Sequence, residues 1–143
     1  MNSKQDNRQW RVLLVDDDPA EHVLLKRKLK TAEDAVIDLE YVGDIGGAVD
    51  RVKAGGVDMV FLDNRLVPNN DFRETAPQLR SAGFIGPIGI ISSDISGRYF
   101  EQFRDFGVDF KIGKDEIDGT VINFIINEYT QDQLSETCSE DYL

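Results

Sequence analysis

The stretch Val12-Leu13-Leu14-Val15-Asp16-Asp17-Asp18-Pro19 places three adjacent carboxylates directly after four apolar residues. The apolar run is short and partly β-branched, which predicts a strand over residues 11–15 that is buried on both faces. Adjacent carboxylates repel one another, so placing them where a buried strand reaches the surface costs folding free energy unless a cation or phosphate chemistry needs them. The stretch therefore predicts a buried strand with a functional site at its end.

Two further apolar runs and one weaker run also end near a side chain that can do chemistry. Residues 57–62 lead to Asp63, residues 87–91 lead to Ser92, and residues 108–112 are followed by Lys114. A partly alternating run at 36–42 is typical of a half-exposed edge strand. Helical patterns follow the five strands, and they are expected after Asp18, after Asp44, and at 72–82, 95–106 and 115–129. Strict alternation of strands and helices predicts an α/β fold with a parallel sheet covered on both faces.

Asp18 has a separate, structural interpretation. It can cap the N-terminus of the first helix, with Pro19 in the first turn and Glu21 three residues later, as in a capping box. Val23 and Leu24, followed by Leu29, are expected to form the inward face of this helix. The opening triplet thus divides into a pair, Asp16 and Asp17, and a capping residue.

Length and charge restrict the class of protein. The 143 residues predict one domain over 10–129, between a flexible tail at 1–9 and an acidic tail at 130–143. The formal net charge of −11 disfavours nucleic acid and anionic membranes as direct partners. The single cysteine, Cys138, fits a reducing compartment, and we expect a cytoplasmic protein. No apolar stretch is long enough to span a membrane, and the N-terminus lacks the apolar core of a signal peptide.

The strand ends bring these side chains to one place. Sites in open parallel sheets collect at the carboxyl edge, where Asp16, Asp17, Asp63, Ser92 and Lys114 all fall. Three carboxylates supply the hard oxygen ligands that Mg²⁺ prefers. A carboxylate beside such an ion can attack phosphorus to form an acyl phosphate, while a lysine and a hydroxyl hold the phosphoryl oxygens.

In these motifs the chain resembles the receiver domain of response regulators in two-component signalling. The resemblance covers residues 10 to about 129 and depends on residues 14–19, residues 60–66, residues 87–93 and the interval from Gly107 to Lys114. It implies a flavodoxin-like, doubly wound sheet of five parallel strands in the order 2-1-3-4-5, with five helices.

The resemblance also implies residue roles. Asp63 would be the phospho-acceptor; Asp16 and Asp17 would bind Mg²⁺ together with Asp63 and the backbone carbonyl of Arg65. Ser92 would move toward the phosphoryl group, and Lys114 would pair with it. The implied protein is a stand-alone regulator, not an enzyme. It would accept its phosphoryl group from a histidine kinase or a histidine phosphotransfer protein and signal by protein–protein contact.

Three positions depart from the family pattern, and one of them is Asp115, which follows Lys114 where the family usually has proline. Val67 stands where the family often has proline, and Pro68 follows it, so the loop after Asp63 is expected to be rearranged or longer. Lys111 stands at the place of the family's switch aromatic; Phe110 could substitute only if the strand register slips by one residue. These departures place the usual coupling between site and surface in question.

Two alternatives remain open at this point. An aspartyl-nucleophile phosphatase usually has a second acid two residues after its nucleophile, a spacing that Asp16 and Asp18 offer and that Asp63, followed by Arg65, does not. A degenerate receiver would keep the acidic site but act only as a protein-binding module.

Overall fold

The computed structural model describes residues 9–30 and 36–129, with the side chain of Val36 excluded. Its five strands all pair in parallel, in the order β2-β1-β3-β4-β5. The strands are β1 (Gln9–Val15), β2 (Val36–Val42), β3 (Met59–Asp63), β4 (Ile88–Ser92) and β5 (Phe110–Gly113). The predicted fold class and strand order are confirmed. Apart from Gln9, the predicted tails at 1–9 and 130–143 lie outside the described residues.

Helical segments connect the strands and follow the last one. They are α1 (Pro19–Leu29), α2 (Ile45–Lys53), α3 (Phe72–Ser81), a 3-10 segment (Arg98–Phe106), a short 3-10 turn (Lys114–Glu116) and α4 (119–129). Aspartates cap the first three helices: the side chain of Asp18 accepts from the Ala20 N–H, that of Asp44 from the Gly47 N–H and that of Asp71 from the Arg73 N–H. Each side chain satisfies a donor that the first helical turn would otherwise leave without a partner.

The sheet separates two apolar clusters, one on each face. Leu13, Val15, Val60 and Leu62 face the cluster that includes Phe72 and the other buried side chains of α3 and the 3-10 segment. Val12, Leu14, Met59 and Phe61 face the other cluster, with Leu25 of α1 and the buried isoleucines of α4. Successive strand residues point to opposite faces, so a sheet covered on both sides needs the unbroken apolar runs seen in the sequence.

Two helical expectations are corrected by the structure. The predicted helix at 95–106 is a 3-10 segment that begins at Arg98 and is interrupted at Gln102, whose φ of −97° and ψ of 19° are not helical. In α1, Val23 and Leu24 do not form the inward face, because they are 55% and 46% exposed, whereas Leu25 is buried. A one-residue difference in helix phase is enough to exchange the buried and exposed positions.

At the amino edge of the sheet, Arg80 joins α3 to the loops beside β4 and β5. Its guanidinium donates to the carbonyls of Gly107, Phe84 and Gly86 and to Asp109 Oδ2. The same oxygen of Asp109 accepts from the Ile88 N–H at 2.8 Å. This network fixes the starts of the two strands whose carboxyl ends carry Ser92 and lead to Lys114.

Within the part of the chain that the structure describes, no helix is both long enough and apolar enough to cross a membrane.

Candidate functional site

Asp16 lies buried at the carboxyl end of β1. Its N–H donates to the Val42 carbonyl at 3.1 Å, which continues the ladder between β1 and β2 by one residue. Its Oδ1 accepts from the Asp18 N–H at 2.9 Å, while its buried Oδ2 has no hydrogen-bond partner among the described residues. One carboxylate oxygen therefore orders the turn into α1, and the other faces the interior of the site.

Three carboxylates meet at this edge of the sheet. Asp63, the last residue of β3, is 7% exposed, and Asp17 is exposed beside it. Asp16, Asp17 and Asp63 can each present an oxygen such that all three atoms lie within 4.8 Å of one another. This spacing allows the three carboxylates to share one cation, and oxygen donors of this kind suit Mg²⁺.

Lys114 is the cation that the fold itself supplies. Its Nζ lies 3.3 Å from Asp63 Oδ1, 3.4 Å from Asp16 Oδ2 and 3.7 Å from Glu21 Oε1. The lysine directly follows β5, so the parallel sheet brings it to the same edge as the two aspartates. One ammonium group faces three carboxylates, and negative charge remains in excess.

The pKa shifts in the site reflect burial first and this excess of negative charge second. Burial, and then the charge of Asp16, raise the pKa of Asp63 to about 6, although Lys114 acts in the opposite direction. Burial also raises the pKa of Asp16, against the hydrogen bond from the Asp18 N–H and the charge of Lys114. For Lys114, burial lowers the pKa, but the charges of Asp63, Asp16 and Glu21 outweigh it and the net shift is upward. A site in this state favours a further cation.

A cleft of about 580 Å³ opens above Asp63. Ser92 and Lys114 line it, together with Arg65, Asn64 and Tyr99. The Ser92 hydroxyl donates to the Asp94 carbonyl at 3.1 Å and accepts from the Asp94 N–H at 3.4 Å. Ser92 thus stands at the predicted place, with its hydroxyl engaged in its own loop.

The loop after Asp63 runs from 64 to 71 and forms the far wall of the cleft. Arg65 is exposed at its rim, the Val67–Pro68 peptide bond is cis, and the Asn69 N–H donates to the Leu66 carbonyl at 2.7 Å. A second cleft of about 530 Å³ shares Arg65, Val67 and Tyr99 with the first. The side chain of Arg65 is therefore positioned to contact a group that enters from either side.

Lys111 lies on β5, at the position where the resemblance led us to expect an aromatic residue. Its Nζ lies 5.7 Å from the centroid of the Phe103 ring, a cation–π contact with the 3-10 segment. Phe110 packs on the opposite face of the sheet, edge-on to Phe61 at 5.9 Å. Because Phe110 pairs with Gly89 and Lys111 with Ile90, the two side chains lie on opposite faces of the sheet, and Phe110 does not take the place of Lys111.

Three residues of the site were missed or misassigned by sequence reasoning. Glu21 was expected in a capping box, but the Asp18 N–H donates to Asp16 and the Glu21 carboxylate faces Lys114. Neither Asn64 nor Tyr99 was assigned to the site, although a buried amide directly follows the central aspartate. The polar residue after Asp63 was the only available signal, and nothing local indicates its partner 35 residues away.

Solved structures of receiver domains match this fold. A CheY-like receiver domain from Methanospirillum hungatei JF-1 has a TM-score of 0.71 at 19% identity, covering 90% of this chain and 99% of that one. One from Methylobacillus flagellatus has a TM-score of 0.66 at 22% identity, covering 85% and 98%. The receiver domain of the Francisella response regulator 1452 has a TM-score of 0.70 at 20% identity, covering 86% and 98%. The chain therefore has the fold of response-regulator receiver domains.

No protein-family model matches the sequence, and no curated protein matches it.

Proposed function

We propose that this protein is a receiver that accepts a phosphoryl group on Asp63 from the phosphohistidine of a histidine kinase or a phosphotransfer protein. The observation that carries the proposal is the position of Asp63: buried at the end of the central strand, within reach of Asp16 and Asp17, and 3.3 Å from Lys114. The fold of receiver domains supports it independently.

Mg²⁺ is the proposed cofactor. The donor set fits, because Asp16 Oδ2 is buried without a hydrogen bond and, among the described residues, Lys114 is the one lysine paired with three carboxylates. Asp16, Asp17 and Asp63 would hold the ion with their oxygens, and the carbonyl of Arg65 is the proposed fourth ligand. When bound, the ion supplies positive charge that offsets repulsion between Asp63 and the incoming phosphoryl group.

Asp63 and Lys114 are the side chains proposed to carry out the phosphoryl transfer. With a pKa of about 6, Asp63 is mainly ionised at neutral pH and can act as the nucleophile. A bond forms between a carboxylate oxygen and phosphorus as the phosphorus–nitrogen bond of the donor breaks. Its electron pair returns to the imidazole nitrogen, which leaves neutral if the ring entered protonated on its other nitrogen. Lys114 faces the carboxylate oxygen and can stabilise the phosphoryl oxygens.

The remaining parts of the proposal concern where the protein acts and how it passes on its signal. The protein is proposed to act in the cytoplasm as a stoichiometric acceptor and not as an enzyme, and to signal by contact with another protein. Its negative charge argues against direct binding to nucleic acid or an anionic membrane. Asp18 accepts from the Ala20 N–H and caps α1, which gives this carboxylate a structural role.

Incubation with a small phosphodonor and Mg²⁺ tests the proposal. Wild-type protein is expected to gain the mass of one hydroxylamine-labile phosphoryl group, and Asp63→Asn is expected to gain none. Asp50→Asn is the matched control, because Asp50 is exposed on α2 and should be phosphorylated like wild type. Equal labelling of Asp63→Asn would overturn the assignment of Asp63.

Two other outcomes favour the alternatives. Absence of Mg²⁺ binding by calorimetry, together with absence of labelling, would favour a degenerate receiver that works as a binding module. Steady turnover of a phosphate ester at catalytic protein concentrations would favour the phosphatase.

A further inference from the structure

Asn64, the residue after the proposed phospho-acceptor, is held by three separate elements. It is 3% exposed, and its N–H donates to the Ile91 carbonyl of β4 at 3.0 Å. Its Oδ1 accepts from the Phe72 N–H at the start of α3, at 3.2 Å. Its Nδ2 donates to the Tyr99 hydroxyl oxygen at 2.7 Å. Because a backbone N–H can only donate, the amide oxygen must face Phe72, and this fixes the NH₂ group toward Tyr99.

Tyr99 is in turn fixed by its ring. It stacks on Phe100 at 4.5 Å and on Phe72 at 5.7 Å between centroids, and the Arg73 guanidinium lies 4.6 Å above it. Arg73 makes a two-pronged ion pair with Asp71, the cap of α3. The Tyr99 hydroxyl thus links this group of stacked rings to the Asn64 side chain, at the start of the loop after Asp63.

The position of Asn64 in the chain gives this contact its significance. Asn64 lies between Asp63, which carries the carboxylate, and Arg65, whose carbonyl is the proposed metal ligand. A rotation of the backbone at Asn64 moves both groups relative to Asp16. The cleft above Asp63 includes Asn64 and Tyr99 in its wall, so the pair also borders the space that an incoming group must enter.

We propose that Asn64 and Tyr99 form a positioning pair for the site. Their hydrogen bond holds the backbone between Asp63 and Arg65 in the geometry that binds the cation, and it transmits occupancy of the site to the 3-10 segment at 98–106. The inference rests on the proposed function and extends it, because it names the contact by which that site communicates with a surface element.

The geometry of the 3-10 segment suits this role. The non-helical φ and ψ of Gln102 divide it, so its first turn, which carries Tyr99, is not locked to its second by continuous helical hydrogen bonding. Phe100 anchors the first turn in the core, and the Lys111–Phe103 contact holds the second turn. A small displacement of the Tyr99 hydroxyl can therefore tilt the first turn about the buried Phe100 without moving the second turn.

Tyr99→Phe tests the pair, because it removes the hydroxyl and keeps the ring. Mg²⁺ alone, titrated by calorimetry, is expected to bind roughly two- to tenfold more weakly than in wild type, the effect of one lost hydrogen bond. In NMR spectra, Mg²⁺ with beryllofluoride is expected to shift the amides of 98–106 in wild type. In Tyr99→Phe those shifts should be lost while the amides of Asp16 and Asp17 still respond.

Tyr129→Phe is the matched control, since Tyr129 lies on α4 and its ring packs near Phe110 on the other face of the sheet. It should leave Mg²⁺ affinity and the shifts of 98–106 unchanged. Asn64→Ala should reproduce Tyr99→Phe and add little in the double variant; if Asn64→Ala does not fold, Tyr99→Phe alone decides.

The outcomes separate this inference from the proposed function. Normal phosphoryl uptake in wild type, with a Tyr99→Phe variant that binds Mg²⁺ and shifts 98–106 like wild type, would overturn the positioning pair alone. Wild-type protein that takes up no phosphoryl group would overturn the proposed function and, with it, this inference.

Discussion

Replacing Asp63 with asparagine is expected to stabilise the fold at neutral pH in the absence of metal, although it removes the proposed nucleophile. Asp63 is 7% exposed and ionised beside Asp16, and the single ammonium group of Lys114 lies 3.3 Å away. Asparagine has nearly the same shape and carries no charge. The substitution therefore removes a repulsion and a desolvation cost without opening a cavity.

The magnitude follows from the pKa of Asp63. Its rise from 3.8 to about 6 is roughly two units, and each unit is about 1.4 kcal/mol, so ionised Asp63 costs the native state on the order of 3 kcal/mol. Asparagine resembles the protonated carboxyl, and Asp63→Asn should recover up to this amount. The attraction between Lys114 and ionised Asp63 is already included in this amount, because Lys114 lowers the Asp63 pKa that gives it.

The sign of the pH dependence is fixed by the direction of the shift. The pKa of Asp63 is higher in the native state than in the unfolded state, so the native state binds the proton more tightly. The contribution of Asp63 to the unfolding free energy of wild type therefore falls as pH rises from 3.8 through 6. The difference in unfolding free energy between Asp63→Asn and wild type should therefore be near zero below pH 3.8. It should grow through pH 5 and reach its full value above pH 6.

Urea denaturation in EDTA, at several pH values, measures this difference; urea is preferred because guanidinium screens charge. Asp50→Asn should differ from wild type by less than about 0.5 kcal/mol at every pH, because Asp50 is exposed. Added Mg²⁺ should reduce the difference in unfolding free energy between Asp63→Asn and wild type, because the ion stabilises wild type selectively. An unfolding free energy difference that is the same at pH 4 and pH 7.5 would refute the proposed cost of ionised Asp63. An Asp63→Asn variant less stable than wild type at pH 7.5 would also refute it.

Three further substitutions test separate parts of the structure. Gly89→Ala should destabilise the fold by about 1–3 kcal/mol in urea denaturation, because an added Cβ would overlap the Phe110 ring. Arg80→Met should cost on the order of 2–4 kcal/mol, since its guanidinium donates four hydrogen bonds, and Mg²⁺ affinity by calorimetry should stay the same. Lys114→Gln should raise the Asp63 pKa above its wild-type value in a carboxyl NMR titration, because Lys114 lowers that pKa, and phosphoryl uptake should fall. The double variant Gly89→Ala/Phe110→Leu should recover part of the first loss; no recovery would contradict the overlap. Weakened Mg²⁺ binding in Arg80→Met would contradict the prediction for Arg80. An unchanged Asp63 pKa in Lys114→Gln would contradict the prediction for Lys114.

Much of the fold follows from local pattern. The unbroken apolar runs before Asp16, Asp63 and Ser92 predict buried strands because a strand covered on both faces needs apolar side chains at every position. Helices between them force the connections to cross the sheet, and this makes the strands parallel. Helix phase was harder to predict: apolar residues stand at successive positions of α1, and the prediction that Val23 and Leu24 face the core was wrong, because Leu25 does.

The sequence by itself determined which chemical groups meet, because each group stands at the end of a strand and parallel strands share their carboxyl edge. Tertiary structure alone decided how they meet. It turned Glu21 toward Lys114, bonded the Ser92 hydroxyl to Asp94 and joined Asn64 to Tyr99. The physical reason is that hydrophobic periodicity repeats along the chain and can be seen locally, whereas a single polar contact has no period. Its partner is fixed only when the elements have packed.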